Sequence, residues 1–119
     1  MPKVYIANLG GHDFSDAQRF GELTFLTTHG FSAKELDRIA FELSLKLENY
    51  DPEQDFFLPV GQDIVNLTAF WILSQKTDEI STLYWDFRSK RYVEHVYNPN
   101  LYSQIVNNLN MRKEIINNE

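Results

Sequence analysis

The feature that most constrains this chain is the order of its apolar runs. Five short segments of apolar and β-favouring residues are each cut off by glycine, proline or a polar turn, and helical spacings lie between and after them. Residues 3–9 (KVYIANL) are nearly continuous in such residues, as suits a strand covered on both faces, and Gly10-Gly11 ends them. Residues 23–28 (LTFLTT) make a second β-prone run closed by His29-Gly30. Residues 55–60 (DFFLPV) make a third, with Pro59 expected at the strand end because it has no N–H to give a ladder. Residues 80–87 (ISTLYWDF) and 91–97 (RYVEHVY), joined by Arg88-Ser89-Lys90, read as a hairpin stopped by Asn98-Pro99-Asn100. Alternation puts Thr82, Tyr84 and Asp86 on one face of it and Leu83, Trp85 and Phe87 on the other.

Helix signals fill the gaps. Ser32 and Glu35 give an S-x-x-E start, followed by Leu36, Ile39, Ala40, Leu43 and Leu47 at a 3.6-residue period, so a helix is expected to about Asn49. Phe41 and Leu45 fall off that stripe, which predicts a helix covered on more than one side or packed at its margin. Gly61 turns the chain into a second helix, about residues 63–76, whose centre LTAFWIL is apolar almost all round and calls for burial on most faces or an oligomer contact. Leu101, Ile105, Leu109 and Ile116 carry a third helix with a fraying polar end. Ser15 with Gln18 suggests a capping box for one helical turn within residues 10–21.

The order is thus β, turn, β, α, β, α, β, β, α. Two strand-helix-strand units with short links favour right-handed crossovers and a mostly parallel sheet, with the hairpin at one edge. The expected fold is a small Rossmann-like or flavodoxin-like three-layer α/β domain spanning residues 1–119, with 98–119 as a peripheral C-terminal helix. At 119 residues and 43% hydrophobic, the chain has one core's worth of apolar material, and without cysteine that core holds by packing alone. No secretory signal opens the sequence and no apolar run approaches the roughly 20 residues that span a bilayer, so no membrane role is expected. The expected location is the cytoplasm, that of a host cell if the gene is viral, or a virion. A net charge of −6 disfavours a nucleic-acid backbone as the main partner.

In open α/β sheets ligands gather beyond the carboxyl ends of the strands. Two segments qualify: Asn8, Gly10, Gly11, His12 and Asp13 after the first strand, and Gly61, Asp63 and Asn66 at the start of the second long helix. Each has a plainer use. Gly10-Gly11 serves as a strand-ending turn, Asp13 and Ser15 as turn and cap residues, and Asn66 as a buried amide bonded to a nearby carbonyl. Neither GxGxxG nor GxxxxGK[ST] is present. Among His12, His29 and His95, only His12 with its neighbour Asp13 suggests acid-base work or a metal, and no further ligand completes a site, so no cofactor or metal is implied. The hairpin gathers Tyr84, Trp85, Phe87, Tyr92 and Tyr97 beside Arg88, Lys90 and Arg91, a composition favoured at interface hot spots. Tyr84, Trp85, Arg88 and Tyr92 are the interface candidates, although packing against the third helix is the plainer use of the hairpin's apolar face.

The segments VYIANLGGHDFSDAQRFGE, LPVGQDIVNLTAFWIL and LYWDFRSKRYVEH together resemble short proteins encoded by tailed bacteriophages and their prophages. The resemblance runs to about Val96, leaves the C-terminal helix outside it, and implies a viral origin without an assigned activity. Two functional classes follow. One is a non-enzymatic phage protein acting by association, as a virion or assembly component or as a factor directed at a host protein, and self-associating through surplus apolar surface. The alternative is a small-ligand or nucleotide binder, a sequestering protein for a nucleotide signal or a minimal nucleotide-processing enzyme, using the two strand-end segments.

Overall fold

The computed structural model describes residues 1–117; the expected polar end of the last helix at 118 and 119 lies outside the described residues. Strands β1 (Lys3–Asn8), β2 (Glu22–Thr27), β3 (Phe56–Leu58), β4 (Ile80–Asp86) and β5 (Arg91–Tyr97) form one sheet in the order β2-β1-β3-β4-β5. The first four run parallel and β5 pairs antiparallel with β4, so the chain is a mixed α/β protein with a mostly parallel sheet. β1 is paired on both sides, Val4 with Leu23 and Phe56, and five of its six residues are buried, which is why its sequence is apolar without alternation.

The pleat sends alternate residues of β1 into two cores. Tyr5 and Ala7 pack with Ile39 and Leu43 of helix α1 (Leu36–Lys46), with Leu47 at its C-cap, and with Val65, Ala69 and Leu73 of helix α2 (Asp63–Ser74). Val4 and Ile6 pack with Phe14 and Ala17 of the β1–β2 connection and with Leu58, Leu83 and Tyr92. Both long helices therefore cover one face, and the other is covered only by the connection and its 3-10 turn, Ser15–Arg19. The expected third layer is reduced to this segment. Its length explains the reduction: returning along a six-residue strand of about 20 Å takes about 13 residues of α-helix, which is the whole of residues 9–21 with none left for turns. The expected capping box is absent from this turn, whose N-cap is Phe14. The Asp13 carboxylate accepts from the Ser15 N–H at 2.9 Å, and Ser15 lies inside the turn rather than capping it.

The Ser32–Glu35 capping box is present, with Ser32 Oγ accepting from the Lys34 N–H and Glu35 from the Ser32 N–H, both at 3.3 Å. It opens a 3-10 turn that leads into α1, and the α-helix ends at Lys46, three residues short of the expected Asn49. Helix α3 (Pro99–Asn117) starts with Asn98 accepting from the Leu101 N–H at 3.2 Å and with proline in its first turn, so Asn98-Pro99 both stops the hairpin and begins the helix.

One buried hydroxyl is unmatched. Tyr50, 6% exposed, packs edge-on against Tyr5 at 5.9 Å, and among the described residues its Oη is the buried side-chain polar atom without a hydrogen-bond partner. Burial, helped by the charges of Asp55 and Asp51, pushes its pKa up to about 12. The folded state therefore keeps this proton where an unfolded tyrosine loses it, and its contribution, whole below about pH 10, is lost as the pH rises to about 12. Tyr50→Phe is expected to raise stability by about 1 kcal/mol at neutral pH and to weaken the alkaline loss, as read from urea unfolding at both pH values.

Candidate functional site

The carboxyl edge of the sheet is where the two sequence segments meet. β1 is followed in chain order by β2 on one side, and β3 lies on its other side, so the connections leave in opposite directions from the β1–β3 gap. Asn8 fills that gap, 8% exposed. Its Nδ2 donates to the Val60 carbonyl at 2.8 Å, and its Oδ1 lies 2.7 Å from Thr27 Oγ1, which is also 2.7 Å from the Ala7 carbonyl. Asn66 Oδ1 accepts from the Val60 N–H at 3.0 Å, and its Nδ2 reaches the Gly61 carbonyl at 3.5 Å. Gly61 has φ of +80°, and a Cβ there would stand 2.7 Å from Asn8 Nδ2. Asn8, Gly61 and Asn66 are thus brought together, and their polar groups close the β3–α2 turn. Gln62 adds a second tie, accepting from the Phe31 N–H at 2.7 Å and donating to its carbonyl at 2.8 Å. Asp63 is exposed in the first turn of α2, where a carboxylate suits the helix dipole and repels an anion. Gly10 and Gly11 are exposed after β1, and neither uses left-handed backbone.

His12 and Asp13 belong to a different constellation. They line a groove of about 500 Å³ with Pro59 and Val60 at the end of β3 and with Trp85 and Phe87 of the hairpin. Its floor includes Leu58, Leu83 and Tyr92, which are buried in the smaller core. The groove lies beside the β1–β2 connection, whose 3-10 turn reaches β5. Trp85 and Tyr92 are cross-strand partners with rings 5.1 Å apart, and Trp85 is 40% exposed. Of the hairpin's interface candidates, Trp85 therefore edges the groove, Tyr92 is part of its floor, and Arg88 is exposed in the turn. Tyr84 also touches the groove, while its hydroxyl meets that of Tyr97 at 2.9 Å.

Asp16 latches the connection to the hairpin. Its Oδ2 accepts the Tyr92 N–H at 2.8 Å, its Oδ1 meets the Arg91 guanidinium at 3.1 Å, and Arg19 lies 3.3 Å away. The Tyr92 N–H, then the two arginines, hold its carboxyl below the usual range, as the Ser15 N–H holds that of Asp13. Both are ionised at neutral pH, and with Asp16 matched by two guanidiniums the groove joins an aromatic, apolar floor to a rim with one carboxylate, Asp13, and one imidazole. No sequence signal pointed to Asp16 or Arg91 as partners, because 75 positions separate them.

Beyond the groove, three helices expose apolar side chains. α3 has no buried residue, and Leu101, Ile105, Val106, Leu109, Met111, Ile115 and Ile116 are each at least half exposed. Its first turn is tied to the hairpin, with Tyr102 Oη 3.2 Å from His95 Nε2 and its ring 5.9 Å from that of Tyr97. The expected packing of the hairpin's apolar face on the third helix is therefore not found: Trp85 and Phe87 edge an open groove, and α3 meets Tyr97 and His95. On α1, Phe41 and Leu45 are 66% and 56% exposed, so the side off the main stripe is uncovered rather than packed. On α2, Leu67 and Trp71 stand 71% and 63% exposed, which corrects the expectation of burial on most faces.

Among the described residues, no helix is long and apolar enough to cross a membrane, and no three His, Cys, Asp or Glu side chains gather as metal ligands. Fold and site together define a mixed α/β protein with an aromatic groove beside the carboxyl edge of a mostly parallel sheet. Within that class the chain belongs to the phage Pam3 gp32-like protein family, whose model matches residues 2–99. The match stops where α3 begins, as the phage resemblance of the sequence led one to expect. Neither the curated proteins nor the solved structures returned a match.

Proposed function

We propose that this phage-family protein is non-enzymatic and acts by protein–protein association, self-associating as part of a virion or its assembly, or as a factor directed at a host protein, in the host cytoplasm or the virion. The observation that carries the reading is α3, a 19-residue amphipathic helix with no buried residue. Chains keep such large exposed apolar stripes for contact with another chain. The protein's spread supports the same reading: its radius of gyration is 16.9 Å, against about 13.5 Å for a compact domain of this length. Ile105→Glu with Leu109→Glu tests it. The pair is expected to abolish association in light scattering while changing the unfolding free energy by no more than about 0.5 kcal/mol, as suits substitutions on an uncovered face. The strand order β2-β1-β3-β4-β5 favours the flavodoxin-like form of the α/β fold, with the last strand reversed.

The groove favours a second reading, a small-ligand binder. With the Asp13 carboxylate on its rim and Asp16 spent on Arg19 and Arg91, it suits a neutral or cationic planar molecule better than a nucleotide's phosphates, and Trp85 offers a face for stacking. In a thermal-shift panel of nucleotides, nucleosides and free bases, a ligand at 100 times its dissociation constant adds about 2.7 kcal/mol of stability. His12→Ala and Trp85→Ala are expected to remove that gain, and a gain untouched by both would reject the groove as the site.

A further inference from the structure

We infer that α3 of one copy lies in the groove between α1 and α2 of a second copy, and that the exchange is reciprocal. The inference rests on the association reading above and names its surface. Past Tyr102, which stays on its own hairpin, α3 presents Ile105, Leu109 and Ile116 at i, i+4 and i+11, on one face, as a helix that fills an apolar groove does. Such a groove is present in the same chain. Ser44 of α1 and Trp71 and Ile72 of α2 line a hollow of about 290 Å³, flanked by the exposed pairs Phe41/Leu45 and Leu67/Trp71, each four residues apart on its helix.

Area decides between one-way and reciprocal docking. A 12-residue α2 offers a groove about 18 Å long, and half the surface of that length of a helix about 10 Å wide is about 280 Å². One docked helix and its groove together cover about 560 Å², too little for a stable interface, whereas two exchanged helices cover about 1,100 Å², which clears the roughly 1,000 Å² such an interface needs. Two-fold exchange also closes the assembly, where one-way docking would continue as a filament. Position and charge agree. α3 leaves the body beside α2, through Tyr97, whose ring meets Phe70 at 5.5 Å and Tyr102 at 5.9 Å. Residues 1–98 hold nine Lys and Arg against 15 Asp and Glu, whereas residues 99–119 hold two of each, so the helix adds no negative charge to the acidic body it meets.

A photo-crosslinking amino acid at position 71 of the full chain tests this, with the crosslinked species mapped by mass spectrometry. Crosslinks between copies that land within residues 99–117 are the expected result. Covalent dimers joined at β5 or at the hairpin would overturn the exchange and leave self-association standing; a chain that is monomeric by light scattering would overturn both. Trp71→Glu and Leu109→Glu, both at exposed positions, are each expected to weaken the dimer about 30-fold or more. Trp71→Lys combined with Leu109→Glu is expected to recover part of that loss, and a dimer indifferent to Trp71 would reject the groove.

Discussion

Asp55→Ala is expected to lower the unfolding free energy by about 3 kcal/mol and the melting temperature by roughly 10 °C. Asp55 is 3% exposed, and each carboxylate oxygen accepts a backbone N–H at 2.8 Å, Oδ1 from Lys3 and Oδ2 from Asp51. One side chain thereby ties the start of β1 to the loop that delivers β3. Alanine leaves two N–H groups without their acceptor, and bonds to a charged acceptor are the stronger kind. Asparagine is expected to recover little, since its amide nitrogen faces one of the two donors. Calorimetry on the wild type and both variants checks this, and a drop below about 1 kcal/mol for alanine would contradict the assigned role.

Gly61→Ala is expected to cost a similar amount, about 3 kcal/mol, by a different route. At φ of +80° any Cβ is strained by roughly 1–2 kcal/mol, and here it would also stand 2.7 Å from Asn8 Nδ2 and 2.8 Å from Asn8 Cβ. A rotamer change cannot clear the second contact, so Asn8 must shift and release Val60 and Thr27. The Gly61→Ala/Asn8→Ala double variant should therefore not regain the stability of Asn8→Ala alone. Urea unfolding of the three variants measures this, and full recovery in the double variant would show that only the amide was in the way.

The parts of the fold legible in the sequence are those with local causes. Residues 4–7 (VYIA) are apolar without alternation because β1 is paired and covered on both sides. Ser32 and Glu35 reach each other within one turn, so their box is visible as spacing. The polar residues after β1 and β3 converge because parallel strands put their carboxyl ends on one edge, and Asn8 meets Val60 and Gly61 there. The thinness of one layer depends on strand length against connection length, which periodicity does not encode. The groove depends on Asp16 meeting Arg91 and Tyr92 far along the chain. Phe41, Leu45, Leu67 and Trp71 were legible as apolar positions on helices, but spacing says which residues share a face and not whether anything lies against it. The same holds for α3, whose stripe was plain in the sequence and whose lack of cover was not.

If association is the protein's work, α3 is a contact surface rather than an idle extension. Sedimentation equilibrium of the full chain over a wide micromolar range tests that most directly. The predicted result is an average mass that climbs with concentration toward twice that of one chain, and that stays at one chain for Ile105→Glu/Leu109→Glu. A single-chain mass for the wild type at every concentration would contradict it.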